Sequence, residues 1–407
     1  MARFANARLV LIAAVVGTFA ILVACEVADS GGETAAGEGQ VPYFEVDPLW
    51  PKPLPNHWIL GSTIGVSVDD QDHVWVLHRG SLTLDPNEIG LELDPPRGEC
   101  CASAPPVLEF DQEGNLLSSW GGPGDDYEWP ESSHGITADL RGNIWIGGNG
   151  TADAHVLKFT RDGSFVMQVG KLGARRGPDG PDGAPTYVGN SRDTMAFGRV
   201  AKIFVDEETN EAYLADGYLN KRVAVIDAET GGLKRFWGAY GNEPDDADLG
   251  PYEPDAPPAE QYRNPVHCAD LSNDRLVYVC DRVNNRLQVF EPDGTFVKEA
   301  FFAKSTLGAG AVWDIAFSPD PEQTYIYLAD GLNMKVRVVL RETLEELASF
   351  GDGGRQPGQF YGVHSIAADS QGNVYTTETY EGKRVQKFNY RGLRSLERRE
   401  QGTVWPQ

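Results

Sequence analysis

The sequence predicts an all-β protein with the architecture of a six-bladed β-propeller. Six similar units begin near residues 64, 134, 201, 267, 313 and 364. Each unit has a short apolar strand, a tight polar turn and a second strand rich in Val, Ile, Trp and Tyr, as in HGITADLRGNIWIGG. A third strand follows, and a fourth usually ends at an aromatic residue before glycine, such as Trp120-Gly121. Four short strands per unit, repeated around an axis, are typical of propeller blades. We expect the strand Tyr43-Phe44-Glu45-Val46 to close the ring beside the last blade.

The composition fits a large exported domain. The chain has 407 residues, of which 41% are hydrophobic, and its 46 glycines and 26 prolines indicate frequent turns. Its cysteines include Cys268 and Cys280, which lie on the two arms of one predicted hairpin and could be bonded to each other. Cys100 and Cys101 are adjacent in a long loop and could bond to each other or elsewhere. Because the sequence contains no C-x-x-C motif, a thiolate metal site is disfavoured.

The first residues are typical of a secretory signal. Arg3 and Arg8 precede the apolar run LVLIAAVVGTFAILVA, which ends directly before Cys25. The segment Leu22-Val23-Ala24-Cys25 resembles the bacterial lipoprotein cleavage box, which implies that Cys25 is lipidated and anchors the exported protein in the bacterial cell envelope. An ordinary signal peptide or a retained anchor helix is the alternative. We therefore divide the chain into a signal peptide (1–24), a lipidated cysteine with a flexible linker (25–41), the propeller (42–395) and a tail (396–407).

The charge of the chain limits its partners. The formal net charge is −25 at pH 7. Such a surface repels nucleic acid, so a nucleic-acid partner is excluded. A substrate that carries a carboxylate would need cationic side chains placed locally in its site. We expect a monomer that acts on a small molecule or a peptide and contacts the membrane through its lipid anchor.

Three histidines recur at one position of the repeat, and they skip every other unit: His134, His267 and His364. The intervening units carry other residues at that position: Ile64, Ala201 and Trp313. On alternate blades, three side chains lie about 120° apart around the axis. Three neutral imidazoles with an open fourth position form a catalytic zinc site, so the sequence predicts zinc here. Four other histidines are out of phase, and we interpret them as surface, turn or supporting residues: His57, His73, His78 and His155.

Two arginines and a tyrosine are predicted at the same end of the channel as the histidines. In an antiparallel hairpin, the start of the first strand and the end of the second lie at one end. Arg79 and Arg282 occupy matching positions after a second strand, and Tyr218 lies in the corresponding segment of the third unit. As alternatives, Arg282 could pair with Asp281, Arg79 could cap a carbonyl and Tyr218 could be core packing.

Several segments, in this order and spacing, resemble a known family: LHRG, SHGITAD, ADGYLNKRV, NPVHCADL, CDRVNNRLQVF and YGVHSIAAD. The units are similar to NHL repeats over residues 58–390. The segments resemble the lyase domain of peptidylglycine α-amidating monooxygenase, a six-bladed zinc propeller. The resemblance implies zinc on the three histidines, Tyr218 as the catalytic base, and Arg79 and Arg282 around the substrate carboxylate.

Two positions depart from that family. Ser365 stands where the family has an aspartate that helps to hold a structural calcium ion in the channel. Gly362 stands where a family methionine touches the substrate. The first departure disfavours the calcium ion, and the second leaves open whether the substrate is a peptide.

The function favoured by these residues is that of a zinc-dependent lyase. It would cleave carbinolamides of the peptidyl-α-hydroxyglycine type, N–CH(OH)–COO⁻, to an amide and glyoxylate. Ureidoglycolate shares the same core, and the sequence does not rank the two substrates. The alternatives are a non-catalytic NHL propeller that serves as a cell-surface binding scaffold and a calcium-dependent propeller of the lactonase type. The latter would need carboxylate and asparagine oxygens in the pore.

Overall fold

The computed structural model describes residues 40–395 and 398–406, and it confirms the predicted propeller. Within these ranges the strands form six four-stranded sheets and one two-stranded sheet, with two 3-10 turns at Gly80–Thr83 and Ala239–Gly241. No helix in this part of the chain has the length and apolar character needed to cross a membrane. The predicted signal peptide, Cys25 and the linker up to residue 39 lie outside the described residues.

The strands follow the repeat in chain order. They are β1 (Gln40–Asp47), β2 (Trp58–Ile59), β3 (Thr63–Val68), β4 (Val74–His78), β5 (Ala102–Ser103), β6 (Val107–Phe110), β7 (Leu116–Trp120), β8 (Ser133–Ala138), β9 (Asn143–Gly148), β10 (His155–Thr160), β11 (Phe165–Gly170), β12 (Val200–Asp206), β13 (Glu211–Asp216), β14 (Arg222–Asp227), β15 (Leu233–Trp237), β16 (Val266–Leu271), β17 (Val277–Asp281), β18 (Arg286–Phe290), β19 (Phe296–Phe301), β20 (Asp314–Phe317), β21 (Tyr325–Asp330), β22 (Lys335–Leu340), β23 (Glu345–Phe350), β24 (Val363–Ala368), β25 (Val374–Glu378) and β26 (Arg384–Ser395). Blades one to five are β3-β4-β6-β7, β8 to β11, β12 to β15, β16 to β19 and β20 to β23. β2 and β5 form a small parallel pair.

Blade six takes strands from both ends of the described chain. β24, β25 and β26 come from its end, and β1 adds the fourth strand by antiparallel pairing with β26, from Gln40 opposite Ser395 to Asp47 opposite Lys387. This is the place predicted for the Tyr43–Val46 strand. The amide of Val46 also donates to the carbonyl of Val404 at 2.8 Å, and Val404 is buried. The circle of six blades is therefore closed by hydrogen bonds between distant parts of the sequence.

The hydrophobic core lies between neighbouring blades rather than at the axis. Six buried clusters each join two adjacent sheets; in one of them, Trp75 and Leu77 of blade one pack with Ile144 and Leu157 of blade two. Because a sheet is covered on both faces, every residue of β13 and of β21 is buried. The first strands of the blades are then left to line the central channel.

A buried ion pair recurs where the second strand of a blade ends. The acidic residue that closes the second strand pairs with an arginine at or near the start of the third: Asp216 with Arg222 at 2.8 Å, Asp281 with Arg286 at 2.7 Å, Asp330 with Arg337 at 2.7 Å and Glu378 with Arg384 at 2.5 Å. Buried charges need such partners, and charge-assisted hydrogen bonds have strict geometry. The pairs therefore fix the short turns between these strands, and two of those turns carry Tyr218 and Arg282.

Both cysteine pairs are bonded in the structure. Cys268 of β16 is bonded to Cys280 of β17, which lies opposite it in the strand pairing, and Cys100 is bonded to Cys101. The Cys268–Cys280 bond joins the two strands that lead to the histidine and arginine of blade four.

Candidate active site

The three phased histidines converge on the axis of the propeller. His134, His267 and His364 lie in the first strands β8, β16 and β24, and each side chain is buried. Their ring centroids are 4.7 to 5.1 Å apart, and one ligand nitrogen of each lies within 4.8 Å of the others. This ring of three imidazoles is the arrangement that the repeat phase predicts.

The units that lack the histidine hold the imidazoles in place. His134 Nδ1 donates to the carbonyl of Ala201 at 2.7 Å, and His364 Nδ1 donates to that of Ile64 at 2.9 Å. His267 Nδ1 donates to the carbonyl of Trp313 in the same way. A carbonyl only accepts hydrogen bonds, so each Nδ1 carries the proton and each Nε2 carries the lone pair. Histidine units and carbonyl units therefore alternate around the axis.

The environment of the ring favours neutral imidazoles. Burial lowers the pKa of His134, His267 and His364 well below the ordinary 6.5. The guanidinium of Arg282 lowers the pKa of all three histidines further, and that of Arg79 lowers the pKa of His134 and His364. Metal ions bind neutral imidazole, so the ring needs little proton release to bind a metal near pH 7. The three convergent imidazole nitrogens can therefore hold a metal ion.

Tyr218 lies against the ring from the turn after β13. Its phenol oxygen is 3.0 Å from Nε2 of His134 and 3.0 Å from Nε2 of His267. Arg282 Nη1 donates to the same oxygen at 3.1 Å. A phenol is a weak base near neutral pH unless its anion is stabilised, and a guanidinium that donates to the oxygen stabilises that anion. The side chain is therefore more than core packing, because its hydroxyl faces the ring.

Arg282 has no ion pair with its chain neighbour. The predicted alternative, a pair between Arg282 and Asp281, is wrong because Asp281 binds Arg286 at 2.7 Å. The guanidinium of Arg282 instead stacks 4.5 Å from the ring centroid of Trp313. Its buried Nε has no hydrogen-bond partner among the described residues. Arg282 thus offers unused donors beside the phenol of Tyr218.

Arg79 reaches the same site from blade one. Its Nη2 donates to Asn149 Oδ1 at 2.9 Å and its Nε donates to the carbonyl of Ser133 at 3.3 Å, so the carbonyl-capping alternative describes part of its contacts. Burial lowers the pKa of Arg79, although nearby Tyr218 opposes that shift. Ser133 directly precedes His134, which places the guanidinium beside the ring.

A groove beside Arg79 is a feature that the repeat did not reveal. It encloses about 580 Å³, and its walls include Trp58, Leu82, Pro106 and Trp129 together with Arg79. Much of this wall comes from the segment between β4 and β6, which has no counterpart in the other units. The groove has the size of a ligand pocket and mixes apolar surface with a charged group.

A cluster of charged residues lies in the channel next to the ring, and the sequence analysis missed it. Lys202 Nζ is 2.6 Å from Asp314 Oδ1 and 3.0 Å from Asp270 Oδ1. Ser365 Oγ donates to Asp314 Oδ2 at 2.7 Å. The sequence did carry a signal for this cluster. In three blades the first strand, which lines the axis, contains a charged residue.

His78 supports the turn that carries Arg79. It is fully buried; its Nδ1 accepts from the amides of Gly61 at 3.1 Å and Gly80 at 3.0 Å, and its Nε2 donates to the carbonyl of Pro105 at 2.9 Å. Burial lowers the pKa of His78 to about 4. Of the interpretations given to the out-of-phase histidines, a supporting role is the one that describes His78.

We expect acid to weaken the fold through His78. The unfolded histidine binds a proton below about pH 6.5 and the folded one below about pH 4, so the stability falls as the pH drops through this window. The loss approaches about 3 kcal/mol for a shift of that size. Urea unfolding of wild type and His78→Gln between pH 7 and pH 4 measures it, and the variant should lose less stability over this range. Equal losses in both proteins would show that His78 does not contribute.

Comparison with known proteins supports the resemblance inferred from the sequence. No protein-family model matches the chain. NHL repeat-containing protein 3 of Mus musculus is 25% identical over 317 residues, which cover 75% of this chain and 69% of that protein. Peptidyl-glycine alpha-amidating monooxygenase B of Xenopus laevis is 24% identical over 358 residues, which cover 85% of this chain and 36% of that protein.

Among solved structures, a streptogramin B lyase superposes with a TM-score of 0.50 at 13% identity, covering 86% of this chain and 98% of that one, and shows the fold alone. The chain is thus a six-bladed propeller that is similar to NHL repeat-containing protein 3 and to the amidating monooxygenase, and it spans about a third of the length of the latter.

Proposed function

We propose that the chain is a zinc-dependent lyase that cleaves carbinolamides of the form N–CH(OH)–COO⁻ to an amide and glyoxylate. The observation that carries the proposal is the contact of Tyr218 with two imidazoles of the ring, at 3.0 Å each, and with Arg282 at 3.1 Å. The 24% identity to peptidyl-glycine alpha-amidating monooxygenase supports the same reading. A binding scaffold has no need for a phenol and a guanidinium placed against neutral imidazoles.

The reaction requires one proton to leave the hydroxyl and one to reach the nitrogen. His134, His267 and His364 would hold the zinc, which when bound supplies a Lewis acid for a substrate oxygen. Tyr218 starts the reaction as the phenolate and accepts the hydroxyl proton; the C–O bond becomes the carbonyl of glyoxylate, and the C–N bond breaks. The same phenol returns the proton to the departing amide nitrogen, so the reaction consumes no net proton.

Arg79 and Arg282 are the cations available for the substrate carboxylate on this acidic protein. Arg79 contacts the carbonyl of Ser133, next to His134, and Arg282 contacts Tyr218 and keeps an unpaired Nε. A guanidinium binds a carboxylate with two parallel donors, which also fixes its orientation. The carboxylate is attached to the carbon that loses nitrogen, so its position sets that of the breaking bond.

We expect Arg282→Lys to lower kcat/KM by at least about 10-fold. An ammonium can neither form the fork nor stack on Trp313 as the guanidinium does at 4.5 Å. Steady-state kinetics with a hydroxyglycine peptide measure the effect, and Arg391→Lys, at a surface ion pair with Glu45, is the matched control. Unchanged kinetics in Arg282→Lys would remove this residue from substrate binding.

The groove beside Arg79 favours a substrate with an acyl or peptidyl group on the nitrogen. Its volume of about 580 Å³ exceeds what the small ureido group would need. The test is metal analysis of the purified protein combined with glyoxylate detection on hydroxyglycine peptides and on ureidoglycolate. We expect about one zinc per chain and release from the peptides. A zinc-loaded protein that is inactive on both substrates would demote the lyase in favour of a binding propeller.

The lactonase alternative is less compatible with the channel. Its calcium ion would need carboxylate oxygens, and the carboxylates of Asp270 and Asp314 are in contact with Lys202. The ring itself presents nitrogen, which calcium disfavours.

We further propose that the protein is exported and anchored in the bacterial envelope by a lipid on Cys25, a residue outside the described part of the chain. The apolar run before Cys25 and the polar segment after it support this proposal. Cys25→Ser is expected to move the protein from the membrane fraction to the soluble fraction or to leave it unprocessed. Identical fractionation of variant and wild type, followed by immunoblotting, would contradict lipidation at this residue.

A further inference from the structure

Four consecutive blades meet in the channel through one charged cluster. Lys202 lies on β12, Asp270 on β16, Asp314 on β20 and Ser365 on β24. Lys202 Nζ lies 3.0 and 3.1 Å from the two carboxylate oxygens of Asp270 and 2.6 Å from Asp314 Oδ1. Asp314 Oδ2 accepts from Ser365 Oγ at 2.7 Å and from the amide of Ile366 at 3.1 Å. The four side chains therefore form a continuous network across blades three to six.

The ammonium group is largely shielded from water. Lys202 exposes 14% of its side chain, and Asp270 and Asp314 are buried. Burial by itself lowers the pKa of Lys202, but the two carboxylates outweigh it and raise that pKa above its ordinary value. Burial also raises the pKa of Asp270 to about 6, against the opposing effect of Lys202. The ammonium group of Lys202 compensates the negative charge of both carboxylates.

The calcium ion that the family resemblance implies does not fit this channel. Calcium binds six to eight oxygens at about 2.3–2.6 Å. The carboxylates of Asp270 and Asp314, which such an ion would bind, surround Lys202 Nζ instead, and the residue after His364 is a serine rather than an acid. Two positive charges at one position would repel each other.

We infer that the ammonium group of Lys202 takes the place of a structural divalent cation and holds blades three to six together without metal. The chain neighbours of the cluster are the residues that hold the ring: Lys202 follows Ala201, and Asp314 follows Trp313, whose carbonyls accept from His134 and His267. The network thus stabilises both the closed ring of blades and the backbone beneath the imidazoles. The inference stands whether or not the chain is a lyase.

The experiment uses zinc-loaded protein freed of calcium, with thermal unfolding followed at zero and 1 mM CaCl₂. Wild type should bind no calcium by calorimetry and show no change in Tm. Lys202→Met should lower Tm by roughly 5–10 °C, because two buried carboxylates lose their cation. Calcium should restore at least half of that loss by binding the vacated carboxylates. Lys171→Met, at an exposed lysine, is the control that should change neither quantity.

A double variant separates the charge of Lys202 from its packing. Lys202→Met combined with Asp270→Asn removes one carboxylate along with the cation, so it should recover stability without calcium and lose the response to calcium. Calcium binding by wild type with a rise in Tm would overturn the inference, and this measurement does not require any variant to fold. A Lys202→Met protein with wild-type Tm and no calcium response would overturn it as well. Neither result depends on glyoxylate release, so failure of the lyase proposal is distinguishable.

Discussion

The Tyr218→Phe variant is expected to keep its metal and its fold while turnover falls by about 10²–10⁴-fold, the usual contribution of a general base. The substitution removes the oxygen that lies 3.0 Å from His134 and His267 and accepts from Arg282 at 3.1 Å. The aromatic ring remains and continues to pack against blades three and four. Metal content by elemental analysis and kcat from glyoxylate release are the two measurements, and the first should match wild type.

The control for this variant is Tyr252→Phe. The hydroxyl of Tyr252 donates to the carbonyl of Lys304, away from the ring contacts, so its removal should leave kcat unchanged. Wild-type turnover in Tyr218→Phe with metal in place would retain a metal-dependent lyase but reject Tyr218 as its base. Loss of metal in the same variant would assign Tyr218 a role in metal binding instead.

The sequence predicts the ring of three imidazoles because the blade repeat and the spacing of the histidines along it coincide. The repeat fixes which strand of each blade faces the axis, and the phase of His134, His267 and His364 fixes which blades contribute. Hairpin geometry then places Tyr218, Arg79 and Arg282 at the end of the channel where the histidines lie. None of these steps requires knowledge of contacts between blades.

The sequence does not reveal which side chains meet after a turn or across neighbouring blades. The choice of Arg286 over Arg282 as the partner of Asp281 depends on the exact direction of two side chains after a turn. Lys202 and Asp314 are 112 residues apart in the sequence. The closed ring of blades brings Lys202 Nζ to 2.6 Å from Asp314 Oδ1. The groove beside Arg79 depends on the long segment before β6, which carries no repeat signal to align.

Removal of one ring histidine is expected to abolish metal binding and, with it, the activity. His267→Ala leaves two imidazoles and deletes one of the two nitrogens in contact with Tyr218. Loss of a residue that only supports a ligand costs about 10–100-fold in metal affinity, so loss of the ligand itself should cost more than roughly 100-fold. Metal content after dialysis against a weak chelator measures the loss, and glyoxylate release should fall to background.

The matched control is His57→Ala, because His57 is an exposed histidine outside the ring. This variant should retain about one metal per chain after the same dialysis. Circular dichroism and unfolding of both variants separate metal loss from loss of the fold, since deletion of a buried imidazole also leaves a cavity. If the His267→Ala variant were folded and still bound about one metal ion per chain, the three histidines would not be the metal site. The alternation of histidines and carbonyls around the axis would then be a device for packing, and Tyr218 and Arg282 would lose the metal that their proposed chemistry requires.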